Sequence, residues 1–409
     1  MDLADVAALT GPGGAEILAE ATRGLDADGE LRTLERLRAT HGNSLAAAAV
    51  GQATLRRRAT AKFGDDARHL LFTRDGLEQA TRARVARWRA AELESAQRRA
   101  GLAQTVVDLG CGLGADLIAF ARAGLSASGL ELDPVTAALA QANVTALRLA
   151  VTVACGDATA VGALDPAVTA FVDPARRDSA GRVWSIQGWA PPWPFVRSLV
   201  EGTATVVKAA PAIPHHLVPP GVAADWVSDG GDVVEACLWS RALHERPGRS
   251  HRAVLLRRDA EPQVLEGDPG NRAPAGELAT YLHEPDGAVI RSGLVGQLAD
   301  VIDGHVPAAG IGYLFTDQPH LSEFATTYRV RQELPHRTKA LRAELRRLGV
   351  ASLTIKARGV RIDPDGLRRE LLAGADRGGN DATVVFTRTT TRRAVALLVQ
   401  RLAVNDPAS

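Results

Sequence analysis

Up to about residue 100 the apolar positions recur every three or four residues. LADVAALTGPGGAEILAEATRG, LRTLERLRAT and GDDARHLLFTRDGLEQATRARVARWRAAEL share this spacing, which predicts helices with one buried stripe each. Thr73 or Asp75 suits an N-cap within the third stretch. At Gln104 the period changes. TVVDLGCGLG reads as a short apolar strand running into a glycine loop. ADLIAFARAG follows as a helix closed by Gly124, LSASGLELD as a second strand, and PVTAALAQANVTAL as a second helix with Pro134 at its start. RLAVTVACGDAT, VTAFVDPARRD and TATVVKAAP supply three further strands. DVVEACLWS and RAVLLRR read as a closing antiparallel pair. Strands alternating with helices predict a mostly parallel sheet covered on both faces.

Residues 259–286 are polar and rich in Pro and Gly, the pattern of a connector. Beyond them a smaller mixed unit is predicted. AVIRSGLVGQLADVI, HRTKALRAELRRLG and DPDGLRRELLAG have helical spacing. IGYLFTD, FATTYRVRQEL, ASLTIKARGV, ATVVFTRTT and RAVALLVQRL have strand character. The chain therefore divides into a helical N-terminal region (1–100), an α/β domain (101–260), and a connector with a small α+β domain (261–409). A length of 409 residues is in keeping with two or three domains.

Composition changes the picture in three ways. A hydrophobic fraction of 46% and a charged fraction of 23% suit a soluble globular chain, and no apolar run reaches the roughly 18 residues of a membrane span. The acidic N-terminus lacks the basic leader of a signal peptide, so a cytoplasmic protein is expected. Cys111, Cys155 and Cys237 show no metal-ligand spacing, so reduced thiols and no metal are expected. The charge is unevenly spread. Residues 321–409 hold 17 Arg and Lys against 9 Asp and Glu, whereas 101–320 is net acidic. Arginine dominates throughout. The lysines are Lys62, Lys208, Lys339 and Lys356.

The candidate chemistry lies in the α/β domain. Asp108, Gly110, Gly112 and Gly114 sit between a strand and a helix, where glycine permits a sharp turn and close approach of a ligand to backbone amides. Glu131 ends the second strand and can accept from two ribose hydroxyls; Asp157 ends the third and can accept from an adenine amine. Two adenosine-containing ligands compete for such a site, because Gly110, Gly112 and Ala115 also satisfy a dinucleotide fingerprint. The ordered set DLGCGLG, LELDP, CGDAT and VDPAR resembles the class I methyltransferase family over residues 101–260. The resemblance implies a Rossmann-like domain that binds S-adenosyl-L-methionine (SAM). It puts Asp108 near the methionine end, Glu131 at the ribose and Asp157 at the adenine.

The fourth strand ends in Asp173 and Pro174, followed by Ala175, Arg176 and Arg177. A carboxylate and a carbonyl at this corner can accept the two hydrogens of an aromatic amine and localise its lone pair. Family members that methylate amino groups usually add a stacking ring here, which this chain lacks. Arg176 offers a planar fork of donors without a basic function. An Asp-Pro-x-Arg also occurs in enzymes that methylate uracil at carbon, but they need a cysteine after the fifth strand, where TVVKAAPAIP has none. Lys208 ends that strand and would face the same cleft. Trp184, Trp189 and Trp193 follow in a Pro-rich loop, either as the missing ring or as cover for the sheet.

The C-terminal IKARGVRIDPDGLRRELL resembles a THUMP-like domain that follows a methyltransferase domain in bacterial proteins; EPDGAVIRSG and FTRDGLEQATRARVA resemble the same two-part family. The resemblance implies contact with RNA, such as tRNA or rRNA, and the basic end agrees with it. Lys339, Arg342, Arg346 and Arg347 recur at helical spacing, either as phosphate contacts or as a solvated face. The expected activity is SAM-dependent methyl transfer to an RNA base. The rivals are a small-molecule or protein methyltransferase, an RNA-binding protein that holds SAM without catalysis, and an NAD enzyme.

Overall fold

The computed structural model describes residues 1–176, 188–244, 249–374 and 378–402, without the side chains of Ala175 and Arg176. It contains two compact units. The first comprises residues 1–223 and 235–245; the second comprises 224–234 and 246–409.

The first unit opens with helices α1 (Leu3–Thr10), α2 (Gly14–Ala27), α3 (Glu30–His41), α4 (Asn43–Phe63), α5 (Arg74–Gln79) and α6 (Ala83–Ala100). Thr73 is the N-cap of α5, accepting from the Gly76 amide at 3.0 Å. The period changes where the sequence says it should. Strands β1 (Thr105–Leu109), β2 (Ser126–Glu131), β3 (Thr152–Cys155) and β4 (Thr169–Val172) alternate with α7 (Ala115–Arg122) and α8 (Pro134–Ala146). A short hairpin, β5 (Ala175–Arg176) with β6 (Trp189–Ala190), precedes α9 (Trp193–Gly202) and β7 (Thr205–Ala209). Within this unit the sheet runs β3-β2-β1-β4-β7, all parallel. The chain thus goes one way from β1 and then returns to its other side, which leaves a crevice at the carboxyl ends of β1 and β4.

The N-terminal helices are part of this unit rather than an appendage. Gln52 of α4 exchanges two hydrogen bonds with the Phe72 backbone, at 2.7 and 2.9 Å. Asn143 of α8 accepts from the Leu71 amide at 2.7 Å and donates to the Leu71 and Leu113 carbonyls, each at 3.0 Å. One buried amide therefore ties the segment before α5 to the glycine loop.

The second unit holds β8 (Ala223–Asp229), apart from its first residue, and the start of β9 (Asp232–Trp239). The far end of β9 belongs to the first unit, where it pairs antiparallel with β7. The predicted pairing of DVVEACLWS with RAVLLRR is not what forms. The second stretch is β10 (His251–Leu256), which lies parallel to β8 and antiparallel to β11 (Gln263–Gly267). AADWVSD gave no alternating signal because all seven positions of β8 are buried, so it reads as an unpatterned run. The remaining elements are β12 (Tyr281–Pro285), α10 (Gly287–Arg291), α11 (Val295–Ile302), β13 (Leu314–Thr316), β14 (Ala325–Leu334), α12 (Thr338–Arg347), β15 (Val350–Ala357), α13 (Pro364–Leu371), β16 (Asn380–Arg388) and β17 (Ala394–Arg401). The single helix expected over AVIRSGLVGQLADVI breaks into α10 and α11 at Gly293, whose φ of 78° a helix cannot carry. The sheet order is β13-β12-β14-β17-β16-β15. Leu341 and Leu345 of α12 and Leu371 of α13 share a buried cluster with Leu353, Val384 and Phe386. Among the described residues, no helix is long and apolar enough to cross a membrane.

Asn143→Leu leaves the Leu71 and Leu113 backbone groups without their partner in a buried site. We expect a loss of about 3 kcal/mol, read as a lower urea midpoint with an unchanged m-value.

Candidate active site

The glycine loop is shaped by its backbone. Gly110, Gly112 and Gly114 have φ of 100°, 54° and 82°, values that favour glycine. The Gly110 and Cys111 amides donate to the Leu130 carbonyl at 2.8 and 3.1 Å, which laces the loop to β2. Glu131 completes the lacing: its carboxylate accepts from the Gly112 amide at 2.9 Å and from the Asp133 amide at 3.0 Å. A carboxylate has about four acceptor positions, so capacity remains for a ligand. A methyl group built on Gly110 or Gly112 would meet nothing within 4 Å, so the loop faces open space there. Behind the loop the packing is tight. A Cβ at Gly76 would lie 2.7 Å from Leu113, and one at Gly129 would lie 2.9 Å from the Cys111 sulfur.

Asp157 stands exposed at the end of β3, where its Oδ1 accepts from the Thr159 amide and hydroxyl, both at 2.8 Å. Those bonds hold its pKa below the usual carboxylate value. Asp108 has the opposite environment. It is 1% exposed, and register places it opposite Gly129 on β2 and Phe171 on β4. Burial, reinforced by Asp116 and Asp173, pushes its pKa well above the usual range, and its Oδ1 has no hydrogen-bond partner.

At the next corner, Asp173 and Lys208 form an ion pair across the ends of β4 and β7. Burial would lower the Lys208 pKa, but Asp173, Asp116 and Glu235 outweigh it and raise the value. Burial raises the Asp173 pKa, with Lys208 pulling it partly back. Lys62 lies within electrostatic reach of Lys208, yet its ammonium donates to the carbonyls of Leu77, Glu78 and Ala80 and so closes α5. Pro174 follows Asp173 directly. The Arg176 side chain, Arg177 and Trp184 lie outside the described residues. Trp189 and Trp193 are buried and pack edge to face, with ring centroids 5.3 Å apart.

Beneath these groups lies a network that the motifs did not reveal. Arg89 of α6 has no exposed surface. It donates to Asp116 in the first turn of α7 and to both oxygens of Glu235 on β9 at 2.6 Å. Its guanidinium also sits 5.0 Å from the Phe171 ring centroid. Thr81 donates to the other Asp116 oxygen at 2.9 Å. Burial opposes the Arg89 charge, but the two carboxylates hold its pKa well above normal. A signal was available: Arg89 lies four residues from both Val85 and Leu93 on a buried stripe, and Glu235 is the acid inside an apolar strand.

Among the described residues, this cluster brings four acidic side chains together with Arg89 and Lys208: Asp108, Asp116 and Glu235 are buried, and Asp173 is half-buried. A cation placed beside Asp108 would favour its ionised form, so this acidic setting and the open loop suit a ligand bearing positive charge.

The fold and site define a class I methyltransferase, and comparison with known proteins identifies the family. The chain is 34% identical to an uncharacterized S-adenosylmethionine-dependent methyltransferase of Mycobacterium tuberculosis, found in strains CDC 1551 and H37Rv, over 82% of this chain and 90% of the relative. It belongs to the S-adenosylmethionine-dependent methyltransferases, and its cofactor is SAM. A crystal structure from Porphyromonas gingivalis W83, assigned as a methyltransferase, shares the fold with a TM-score of 0.72 at 21% identity. That match covers 95% of this chain and 98% of the other. Residues 325–401 match the THUMP domain-like family, and residues 2–59 match a domain of unknown function (DUF8688). The residues fit the cofactor: its sulfonium and ammonium are the positive charge that the acidic cluster favours.

Arg89→Met would leave Asp116 and Glu235 buried without their cation. We expect destabilisation of roughly 3–5 kcal/mol by urea unfolding, far above the effect of an exposed Arg→Met control such as Arg197→Met.

Proposed function

We propose that the chain transfers the methyl group of SAM to a base of RNA. The observation that carries this reading is the THUMP domain-like match at residues 325–401, in the basic end of a chain whose other unit is a methyltransferase. A cytoplasmic setting and a tRNA or rRNA substrate go with it. Bound SAM supplies an electrophilic methyl group. In our reading Asp108, Gly110, Gly112, Gly114, Glu131 and Asp157 hold it, with Asp108 toward its cationic end, Glu131 toward the ribose and Asp157 toward the adenine.

The remaining chemistry falls to the strand-four corner. An in-line methyl transfer needs alignment, exclusion of water and a place for the departing proton. Asp173 and the Pro174 carbonyl accept the hydrogens of a target amine and keep its lone pair out of the ring. Lys208 holds the Asp173 carboxylate at that corner and supports its ionised form. Arg176 contributes a donor fork that orients the base or its phosphate.

Asp173→Ala should lower methyl transfer from saturating labelled SAM to bulk tRNA and rRNA by roughly 10²–10⁴-fold. Full retention of transfer would remove Asp173 from catalysis.

Asp108 gives a second test. Its pKa is raised in the free protein, and a cationic ligand would lower it, so binding should release a proton. Affinity for SAM should then rise with pH between the free and bound pKa values. Calorimetry in buffers of different ionisation enthalpy reads the proton directly, and Asp108→Asn should abolish its release.

A further inference from the structure

The basic helix α12, singled out by its sequence spacing, turns guanidinium donors of three arginines inward. Arg342 and Arg346 both donate to the Ala373 carbonyl, at 2.5 and 2.6 Å. Arg347 pairs with Glu344 at 2.8 Å. Phosphate contacts need cations that are not already engaged in this way.

Such cations line a cleft of about 930 Å³ that lies wholly within the second unit. Its basic residues are Arg257, Lys356, Arg358 and Arg401, and Ser322 and Thr326 add hydroxyls. It also contains three carboxylates, each of them occupied. Glu284 pairs with Lys356 at 2.6 Å, and Glu323 pairs with Arg257. Asp286 accepts from the Ala288 amide at 2.8 Å and the Ser228 hydroxyl at 3.1 Å. Among the described residues Arg358 and Arg401 have no carboxylate partner. Arg358 is held with its guanidinium 5.3 Å from the Tyr313 ring centroid, and its Nε is buried without an acceptor. The guanidinium also meets the Tyr313 side chain by hydrogen bonding, and held over the ring without a carboxylate partner it keeps its charge for a planar or tetrahedral oxyanion. Arg401 stands exposed at the end of β17.

We infer that this cleft binds phosphate groups of the substrate's RNA backbone, with Arg358 and Arg401 as the contacting residues. The inference rests on the RNA reading above and assigns the phosphate contacts to the cleft rather than to the face of α12.

The test is fluorescence anisotropy of the full chain with a labelled single-stranded RNA of mixed sequence, between 50 and 200 mM salt. Arg358→Gln/Arg401→Gln should weaken binding at least tenfold at low salt. Losing two phosphate contacts should also make the salt slope shallower by about 1.4, at roughly 0.7 per single-strand phosphate. Arg401→Gln, at an exposed site, should give about half that slope change without a folding defect. SAM affinity should be unchanged in both variants. If the wild type binds RNA and both variants match it in affinity and slope, the cleft assignment is overturned and the RNA reading stands. If the wild type binds no RNA, both fall. Displacement of the RNA by a polyglutamate peptide at equal charge concentration would overturn the phosphate assignment in favour of an acidic protein partner.

Discussion

A guanidinium with no access to water must be matched by protein, and Arg89 is matched from two directions. Asp116 reaches it from the helix that follows the glycine loop, and Glu235 from the strand beside β7. Desolvating three charged groups cancels much of their attraction, so the network adds little to net stability. Its consequence is geometric. A slide of α6 by one residue would strand a buried charge, so the helix has one seating. Thr81 and Asn143 add neutral contacts to the same arrangement, and the N-terminal helices thereby fix the position of the glycine loop.

The same network sets the electrostatics at the ends of β1, β4 and β7. Arg89 and Asp116 lie close enough to Asp108, Asp173 and Lys208 to shift the pKa of all three. In low dielectric such coupling is strong, and ionising Asp108 there is costly without added positive charge. A cofactor bearing a sulfonium and an ammonium relieves that cost. The site therefore favours its ligand through charge as well as through shape. Glu131 acts in both respects, since it pins the loop by two backbone bonds while keeping acceptor positions free.

In the second unit, tertiary structure separates arginines that look equivalent in sequence. Arg342 and Arg346 close the end of α13 through the Ala373 carbonyl, whereas Arg358 stands over the Tyr313 ring. A count of basic residues treats them alike. Only the positions of nearby carbonyls and carboxylates show which charge is available.

The parallel strands with their intervening helices, the glycine loop and the acids at Asp108, Glu131 and Asp157 were legible in the sequence. They depend on local periodicity and on residue types that few other structures require. β8 and the break at Gly293 were less legible: a strand buried at every position has no alternation, and a glycine within an apolar run does not declare its φ. The corner at FVDPARRD was readable as chemistry, but its Lys208 partner lies 35 residues away and meets Asp173 only because β4 and β7 are neighbours. Arg89 and Glu235 are 146 residues apart. The sequence by itself determined the class of fold and the kind of cofactor loop, because backbone conformation and burial are local constraints. Only the tertiary structure decided which charges meet, because that depends on which distant elements the packing brings together.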